Sequence, residues 1–239
     1  MTASQLNCLS QQGFDLLSVN VFNTINETAN IVGIQNYGLA AKASWYFEAY
    51  MYPCVSVNCS SAWDQINTVL DAMFNAGICE AIFYIGVDNS DANNKWPKNT
   101  KTNQEFLEKL IEGLQIWGYN DIGIYTSQNN WDQIFGSNYN LNNSNLDPVL
   151  LWNVAWNGVQ DLTSGFTPFG GFTQETLTRH QYAGNVKSNQ CYTCGACYLD
   201  YNYYPTSSRK QMIKSRAKMS PATPNCLPKQ KILKNKHLR

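Results

Sequence analysis

The sequence from Ser60 to Asp91, SSAWDQINTVLDAMFNAGICEAIFYIGVDNSD, decides the fold class because it joins one helix to one buried strand. Apolar residues recur at helical spacing from Ile66 to Phe74, the opening serines supply an N-cap, and Gly77 supplies a stop. Ala81 to Val87 follows as an apolar strand that runs into a polar, turn-forming loop. A helix followed by a buried strand is the unit of a βα architecture.

The same alternation continues on both sides of this segment. Before it, Phe14 to Val21 and Ser44 to Tyr52 read as strands around a helix from Ala29 to Lys42. After it, a helix closed by Gly118 leads to further strands and a short helix, and beyond residue 135 the helices thin out. The length and pattern predict one main domain over residues 1–205, followed by a separate tail over residues 206–239.

The formal net charge of zero conceals two electrostatically different parts. Ten of the 17 Lys and Arg residues lie in the tail, which has no Asp or Glu, so residues 1–205 hold 7 basic and all 17 acidic residues, a net charge of −10. The tail is expected to be disordered. It could bind nucleic acid or an anionic membrane surface, but it lacks interleaved aromatic residues and amphipathic periodicity. A solvated appendage is therefore favoured, and no nucleic-acid partner is expected.

Cysteines and sequons bear on the compartment. Eight cysteines and three Asn-x-Ser/Thr sequons, at Asn26, Asn58 and Asn142, favour a secreted, vesicular or lysosomal glycoprotein. The first ten residues, MTASQLNCLS, have neither a basic nor an apolar segment and do not read as a signal peptide. No apolar run approaches the roughly 20 residues that span a bilayer, so no membrane span is expected.

Several short motifs occur in a fixed order along the chain, and this ordered series is more specific for a protein family than each single motif. They are FEAYMYPC at 47–54, NQEF at 103–106, IGIYTSQNNW at 122–131, FGGF at 169–172 and LDYNYYP at 199–205. In order and spacing the series resembles eukaryotic lysozymes of glycoside hydrolase family 25, over nearly all of residues 4–205. The resemblance implies an irregular, TIM-like β/α barrel that is poor in helices in its C-terminal half. It also implies cleavage of the β-1,4 bond between N-acetylmuramic acid and N-acetylglucosamine in peptidoglycan.

Members of that family carry acids at the C-terminal ends of barrel strands: an Asp in a first-strand G-x-D-x-S motif, an Asp-x-Glu pair on a middle strand and a later Asp. The resemblance places the pair at Ile85 and Val87 and the later acid at Asn157. It also places Asp15 on the second strand, so the domain is expected to lack the first strand. No acid is therefore expected at a family position.

Three other carboxyl groups could substitute, since glycoside cleavage needs one acid to protonate the leaving oxygen and a second as nucleophile or base. Asp88 is expected to point away from the barrel mouth unless a bulge intervenes, because strand side chains alternate faces and it follows Val87 by one residue. Asp200 is interpreted as a structural or rim group, and Glu48 as a buried carboxyl group with a hydrogen-bond partner.

Four aromatic residues near predicted strand ends could stack on sugar rings, with core packing as the alternative. They are Tyr50, Tyr125, Trp152 and Trp156. His180 is interpreted as a core or rim residue.

The cysteine spacing leaves two interpretations open. Cys54, Cys59 and the Cys191-x2-Cys194-x2-Cys197 run could supply four thiolates to zinc. The lysozyme resemblance instead implies disulfides between Cys54 and Cys59 and between Cys8 and Cys194. Disulfides are favoured, and no metal or other cofactor is expected.

Two functions of different classes follow. One is a lysozyme-type muramidase acting in bacterial cell-wall breakdown or defence. The other is a catalytically silent glycan-binding module on the same barrel. Both are directed at peptidoglycan or a related glycan, and the absent acids predict that this chain is inactive.

Overall fold

A computed structural model describes residues 1–43, 45–79, 81–91, 94–188, 191 and 197–205, so the predicted tail and Cys194 lie outside the described residues. Helices and strands alternate up to residue 135, and three strands follow. In chain order the elements are α1 Ala3–Gln11, β1 Leu16–Asn20, β2 Phe22–Asn23, β3 Thr28–Ala29, α2 Ile31–Lys42, β4 Tyr46–Met51, α3 Ala62–Asn75, β5 Phe83–Gly86, α4 Thr100–Trp117, β6 Ile122–Thr126, α5 Gln128–Phe135, a 3-10 turn Leu141–Asn143, β7 Leu150–Val154, β8 Leu177–Ser188 and β9 Cys197–Tyr203.

The main sheet has seven strands in the order β1-β4-β5-β6-β7-β8-β9, and β2 pairs with β3 in a small separate hairpin. Strands β1 to β8 of the main sheet run parallel, and β9 returns antiparallel to β8. The sheet curls into a half-barrel, which confirms the predicted barrel-like α/β fold with a helix-poor C-terminal half. The β2–β3 hairpin was not predicted.

The edge strands β1 and β9 approach each other across the open side. The hydroxyl group of Tyr204 donates a short hydrogen bond to the Asp15 carboxylate. The rings of Phe14 and Tyr201 stack with centroids 5.5 Å apart. Side chains, rather than backbone pairing, therefore connect the two edges here.

The helices begin and end at the residues that local chemistry favours. Ser61 accepts the Asp64 N–H at 3.1 Å to start α3, and Asn99 accepts the Thr102 N–H at 3.2 Å to start α4. Helix α4 ends at Gly118, whose φ of 92° is left-handed. Among the described residues, no helix is long and apolar enough to cross a membrane.

The sheet has two different faces. Its outer face packs on the helices in the main core, where Met51, Ile85, Ile124 and Leu151 form one row across four neighbouring strands. The inner face carries a separate cluster built mainly from aromatic rings. This inner cluster contains Ile82, Tyr84, Tyr125 and Trp152, with Leu16, Tyr46, Tyr50, Tyr52, Val154 and Tyr204 packed against them.

Disulfides fix two parts of the fold. Cys54 is bonded to Cys59, as expected, so neither sulfur is a thiolate for zinc. The expectation that Cys8 pairs with Cys194 is wrong, because Cys8 is bonded to Cys191 with a Cα separation of 5.6 Å, a normal spacing for a disulfide. This bond ties α1 to the segment between β8 and β9.

Candidate functional site

The side chains along β5 point to the opposite faces of the sheet from those that the sequence interpretation assigned to them. Ile85 and Val87 are fully buried in the main core with the helices, on the outer face of the sheet. The expectation that these two residues occupy positions at the barrel mouth is therefore wrong. Tyr84 belongs to the inner cluster, so alternation assigns Gly86 and Asp88 to the inner side.

Asp88 consequently lies at the mouth, just beyond the C-terminal end of β5. Its Oδ1 accepts hydrogen bonds from the Ser90 N–H at 2.9 Å and the Ser90 hydroxyl group at 2.7 Å. At Gly86 an added Cβ would meet the Tyr52 ring at 2.4 Å, so the glycine allows that ring to cross the strand. The prediction that Asp88 points away from the mouth is wrong.

Two cavities adjoin at Tyr52, which lines both. The first, called the mouth cleft, has a volume of about 440 Å³ and is lined by polar residues that include Asn20, Asp88 and Asp91. The second, called the interior cavity, has a volume of about 390 Å³ and lies between β1, the aromatic rings and β9.

Aromatic rings line the interior cavity in edge-to-face contacts. Tyr125 and Trp152 have centroids 4.9 Å apart, Tyr52 and Tyr125 5.9 Å, and Tyr50 and Trp152 6.2 Å. Three of the four predicted sugar-stacking residues are therefore brought together, with Tyr52 added to them. Trp152 is 4% exposed, so it supports the other rings more than it offers a free face.

Gln181 connects these rings to the fourth residue, Trp156. The Tyr125 hydroxyl group donates to Gln181 Oε1 at 2.9 Å, and the Trp156 indole N–H donates to the same oxygen at 2.8 Å. Trp156 is 56% exposed. Its ring packs on Gly184, where an added Cβ would lie only 2.2 Å from a ring carbon. An exposed indole held by a hydrogen bond and a glycine is a rigid apolar platform.

A buried ion pair lies below this surface. Glu48 Oε1 is 2.7 Å from Arg179 Nη1, and the Ser18 hydroxyl group donates a short hydrogen bond to the same oxygen. The Arg179 guanidinium lies 5.4 to 5.6 Å from the ring centroids of Tyr84, Trp152 and Tyr204. Burial raises the pKa of Glu48, and the charge of Arg179 and the Ser18 hydrogen bond oppose the rise. The predicted hydrogen-bonded role of Glu48 is correct, with an ionic partner that was not predicted.

Burial and nearby carboxylates keep the Tyr52 and Tyr125 phenols protonated. Burial is the main cause that raises the pKa of Tyr52 and of Tyr125, and the charge of Asp88 adds to both rises. The charge of Asp200 raises the pKa of Tyr125 further, against the hydrogen bond from Tyr52. Both phenols therefore keep their protons and can donate hydrogen bonds, and Asp88 and Asp200 act on the same ring.

Comparison with known proteins defines the family. The family model described as lysozyme-like protein 1 matches residues 1–182. The chain belongs to this lysozyme-like family. Lysozyme-like protein 5 of Caenorhabditis elegans is 28% identical over 206 residues, which cover 86% of this chain and 87% of that protein. Lysozyme-like protein 7 of the same organism is 30% identical over 171 residues, and the match covers 70% of this chain and 56% of that longer protein.

A solved structure shares the architecture. The muramidase from Acremonium alcalophilum superposes on this chain with a TM-score of 0.62 at 14% identity, covering 91% of this chain and 94% of the muramidase. The likeness concerns the fold. The predicted relation to lysozymes is confirmed.

Two residues that the sequence interpretation considered as possible acid positions, Asn157 and Asp200, have structural partners. Asn157 is exposed, and its amide closes a loop by donating to the Ser164 carbonyl oxygen at 3.0 Å and accepting the Val159 N–H at 2.9 Å. Asp200 accepts the Asn185 N–H at 2.8 Å and lines the interior cavity. Asn185 has a left-handed φ of 55°, so the Asp200 carboxylate supports an unusual turn.

The sequence interpretation did not assign to the candidate site three residues that organise it. Tyr52, Arg179 and Gln181 all lie on the inner face, and Arg179 and Gln181 alternate along β8 with the buried His180 between them. His180 itself lies with its two ring nitrogens 2.7 and 2.8 Å from the carbonyl oxygens of Asp161 and Ala155. The signal was present, because polar residues at alternate positions of a buried strand face one side together.

Proposed function

We propose that this lysozyme-like protein binds glycan strands of peptidoglycan at the mouth of its half-barrel without cleaving them. One arrangement carries the proposal: Gln181 holds two rings in fixed positions, Tyr125, which lines the interior cavity, and the exposed Trp156. A sugar ring has apolar faces and polar edges. Fixed aromatic rings beside amide and hydroxyl groups match both.

The arrangement of carboxyl groups supports binding over hydrolysis. A general acid must come within hydrogen-bond distance of the glycosidic oxygen. Burial raises the pKa of Glu48, as a general acid requires. However, Glu48 is 0% exposed and paired with Arg179, so it does not reach a ligand. Gly86, on the inner side of β5, has no side chain to contribute. Glycoside cleavage needs two carboxyl groups, and Glu48 and Gly86 do not supply such a pair to a bound glycan.

Hydrolysis is the second candidate function, and one observation favours it. Asp88 faces the mouth, and its charge acts on the same Tyr125 ring as the charge of Asp200. If a glycan lies between these carboxylates, one could donate a proton and the other could stabilise the developing positive charge. The β-1,4 bond between N-acetylmuramic acid and N-acetylglucosamine is the bond that would break.

The compartment follows from the covalent structure. We infer that the protein works outside the reducing cytosol, as a secreted or lysosomal protein, because disulfides persist in oxidising surroundings. Bacterial cell-wall material is encountered there in digestion and defence.

One experiment separates the two candidates. The full chain and its Asp88→Asn variant are incubated with insoluble purified peptidoglycan, and the bound protein and the released soluble fragments are both quantified. Chitin and cellulose serve as control glycans. We expect both proteins to sediment with peptidoglycan and neither to release fragments. Release by the unmodified chain that Asp88→Asn abolishes would establish hydrolysis, and a failure to sediment would reject the binding proposal.

A further inference from the structure

Two loop tips near the mouth expose aliphatic side chains. Ile25, in the turn between β2 and β3, is 84% exposed, and Val57, within the Cys54–Cys59 loop, is 94% exposed. The loops are joined, because the Glu27 carboxylate accepts the Ser60 N–H at 2.7 Å and also a short hydrogen bond from the Ser60 hydroxyl group. The Glu27–Ser60 contact thus holds the two loops that carry these exposed aliphatic side chains next to each other.

Each tip also carries an exposed asparagine beside its aliphatic residue. Asn26 follows Ile25 and begins the sequence Asn-Glu-Thr, and Asn58 follows Val57 and begins the sequence Asn-Cys-Ser. Both asparagines are exposed. Two Asn-x-Ser/Thr sequons therefore occur at two tips that meet through Glu27 and Ser60.

We propose that Asn26 and Asn58 are sites of N-linked glycosylation, and that their glycans cover Ile25, which lines the mouth cleft, and Val57 on the joined loop. The inference rests on the secreted or lysosomal location proposed above. In the reaction the side-chain amide nitrogen forms a bond to the anomeric carbon of a lipid-linked oligosaccharide. The bond from that carbon to the lipid diphosphate breaks, the diphosphate leaves, and the amide proton passes to a base.

The third sequon, at Asn142, differs in its surroundings. The Asn142 amide donates to the Gly171 carbonyl oxygen at 2.9 Å, and its nitrogen lies 3.1 Å from where a Cβ of Gly171 would be. Asn142 is exposed, but its amide nitrogen, the atom that would carry a glycan, is held by this hydrogen bond between the 3-10 segment and the loop at 170–171. A glycan on this nitrogen would compete with that packing, so the structure assigns glycosylation to Asn26 and Asn58 and not to Asn142.

The test uses the full chain secreted from eukaryotic cells behind a secretory leader. An enzyme that removes N-linked glycans converts each modified asparagine to aspartate, and digestion in H2(18)O labels that aspartate for peptide mass spectrometry. We expect label at positions 26 and 58 and none at 142. An unlabelled position 26 or 58, or label at 142, overturns the assignment. Because this readout does not involve peptidoglycan, failure of the binding proposal leaves it interpretable.

A matched pair of variants tests whether the sequon itself is responsible. Thr28→Ser keeps a hydroxyl group at the third sequon position and should keep the glycan on Asn26, whereas Thr28→Ala should lose it. The proposed covering role has its own readout. Deglycosylated protein should self-associate at concentrations where the glycosylated protein stays monomeric by light scattering, and equal behaviour of the two forms would refute that role.

Discussion

Glu48 and Arg179 form an ion pair 2.7 Å long inside the half-barrel, and their side chains are 0% and 1% exposed. They come from β4 and β8, on opposite sides of the inner face, and Ser18 on β1 donates to the same carboxylate. Among the described residues, Glu48 Oε2 and the Nε and Nη2 atoms of Arg179 have no hydrogen-bond partner. The pair is therefore costly to bury and costly to break.

Removing one charge of this pair should destabilise the fold strongly. Glu48→Ala leaves a buried guanidinium without its counter-ion, so we expect the free energy of unfolding to fall by about 3 to 5 kcal/mol in urea titrations at neutral pH. Glu105→Ala, on the exposed side of α4, is the control and should change it by less than about 0.5 kcal/mol. Replacing both partners by Leu and Met should recover much of the loss. A Glu48→Ala protein as stable as the control would mean that the pair is not buried in solution.

The same carboxyl group predicts a direction of pH dependence. Because burial raises the pKa of Glu48 above its ordinary value of 4.5, the folded state binds this proton more tightly than the unfolded state. Its contribution to stability is present at low pH and is lost as the pH rises from about 4.5 through the folded pKa. The unfolding free energy of the unmodified chain, minus that of Glu48→Gln, should thus decline across this window. A difference that is constant or that increases with pH would contradict the assignment.

The sequence predicted the elements better than the faces of the strands. Helix periodicity and caps placed α3 and α4 within about two residues, because Ser61 and Gly118 are strong local signals. The four residues of β5 are all buried, since helices cover one face of the sheet and rings fill the other. No hydrophobic alternation therefore existed from which to assign Ile85 and Val87 to a face, and the motif alignment assigned them to the face that they do not occupy.

The candidate site depends on contacts between residues that are distant in sequence. Tyr50, Tyr125 and Trp152 were predictable as strand-end aromatic residues. The connection of Tyr125 to Trp156 through Gln181 arises from the register of β8 against β7 and β9, which no local pattern encodes.

Gln181 should control ligand affinity through the two rings that it holds. Gln181→Ala removes the acceptor of the Tyr125 hydroxyl group and of the Trp156 indole N–H, so both groups lose a fixed orientation. We expect soluble peptidoglycan fragments to bind about 5- to 30-fold more weakly in calorimetric titrations. Gln133→Ala is a matched control, because that exposed glutamine on α5 donates to Asn129 at 3.1 Å. Equal affinities of the two variants would remove Gln181 from the site.

Trp156 should contribute directly to binding. Its exposed indole lies beside the cavity rings, so Trp156→Ala should weaken binding of the same fragments by roughly fivefold, corresponding to about 1 kcal/mol of ring contact. Trp63, which is 37% exposed on α3, is the control tryptophan. Its replacement by alanine should leave the affinity unchanged. If Trp63→Ala weakens binding as much as Trp156→Ala, the ligand does not bind at the mouth.

Substituting glutamate at the two positions that follow β5 tests which side chain faces the mouth. Val87 is 0% exposed in the helix-side core, so Val87→Glu buries a carboxylate among aliphatic side chains. We expect it to lower the unfolding free energy by roughly 3 to 5 kcal/mol. Asp88 is half-buried beside the mouth cleft, so Asp88→Glu should cost less than about 1 kcal/mol.

The comparison is direct because the two variants introduce the same residue, glutamate, at adjacent positions. If β5 instead presented Val87 to the mouth, Val87→Glu would be tolerated and would add a carboxylate to the cleft. Thermal unfolding of both variants, together with the peptidoglycan release assay on each, distinguishes these arrangements. Destabilisation by Val87→Glu without any fragment release would fix Asp88, rather than Val87, as the position from which a carboxyl group can reach a bound glycan.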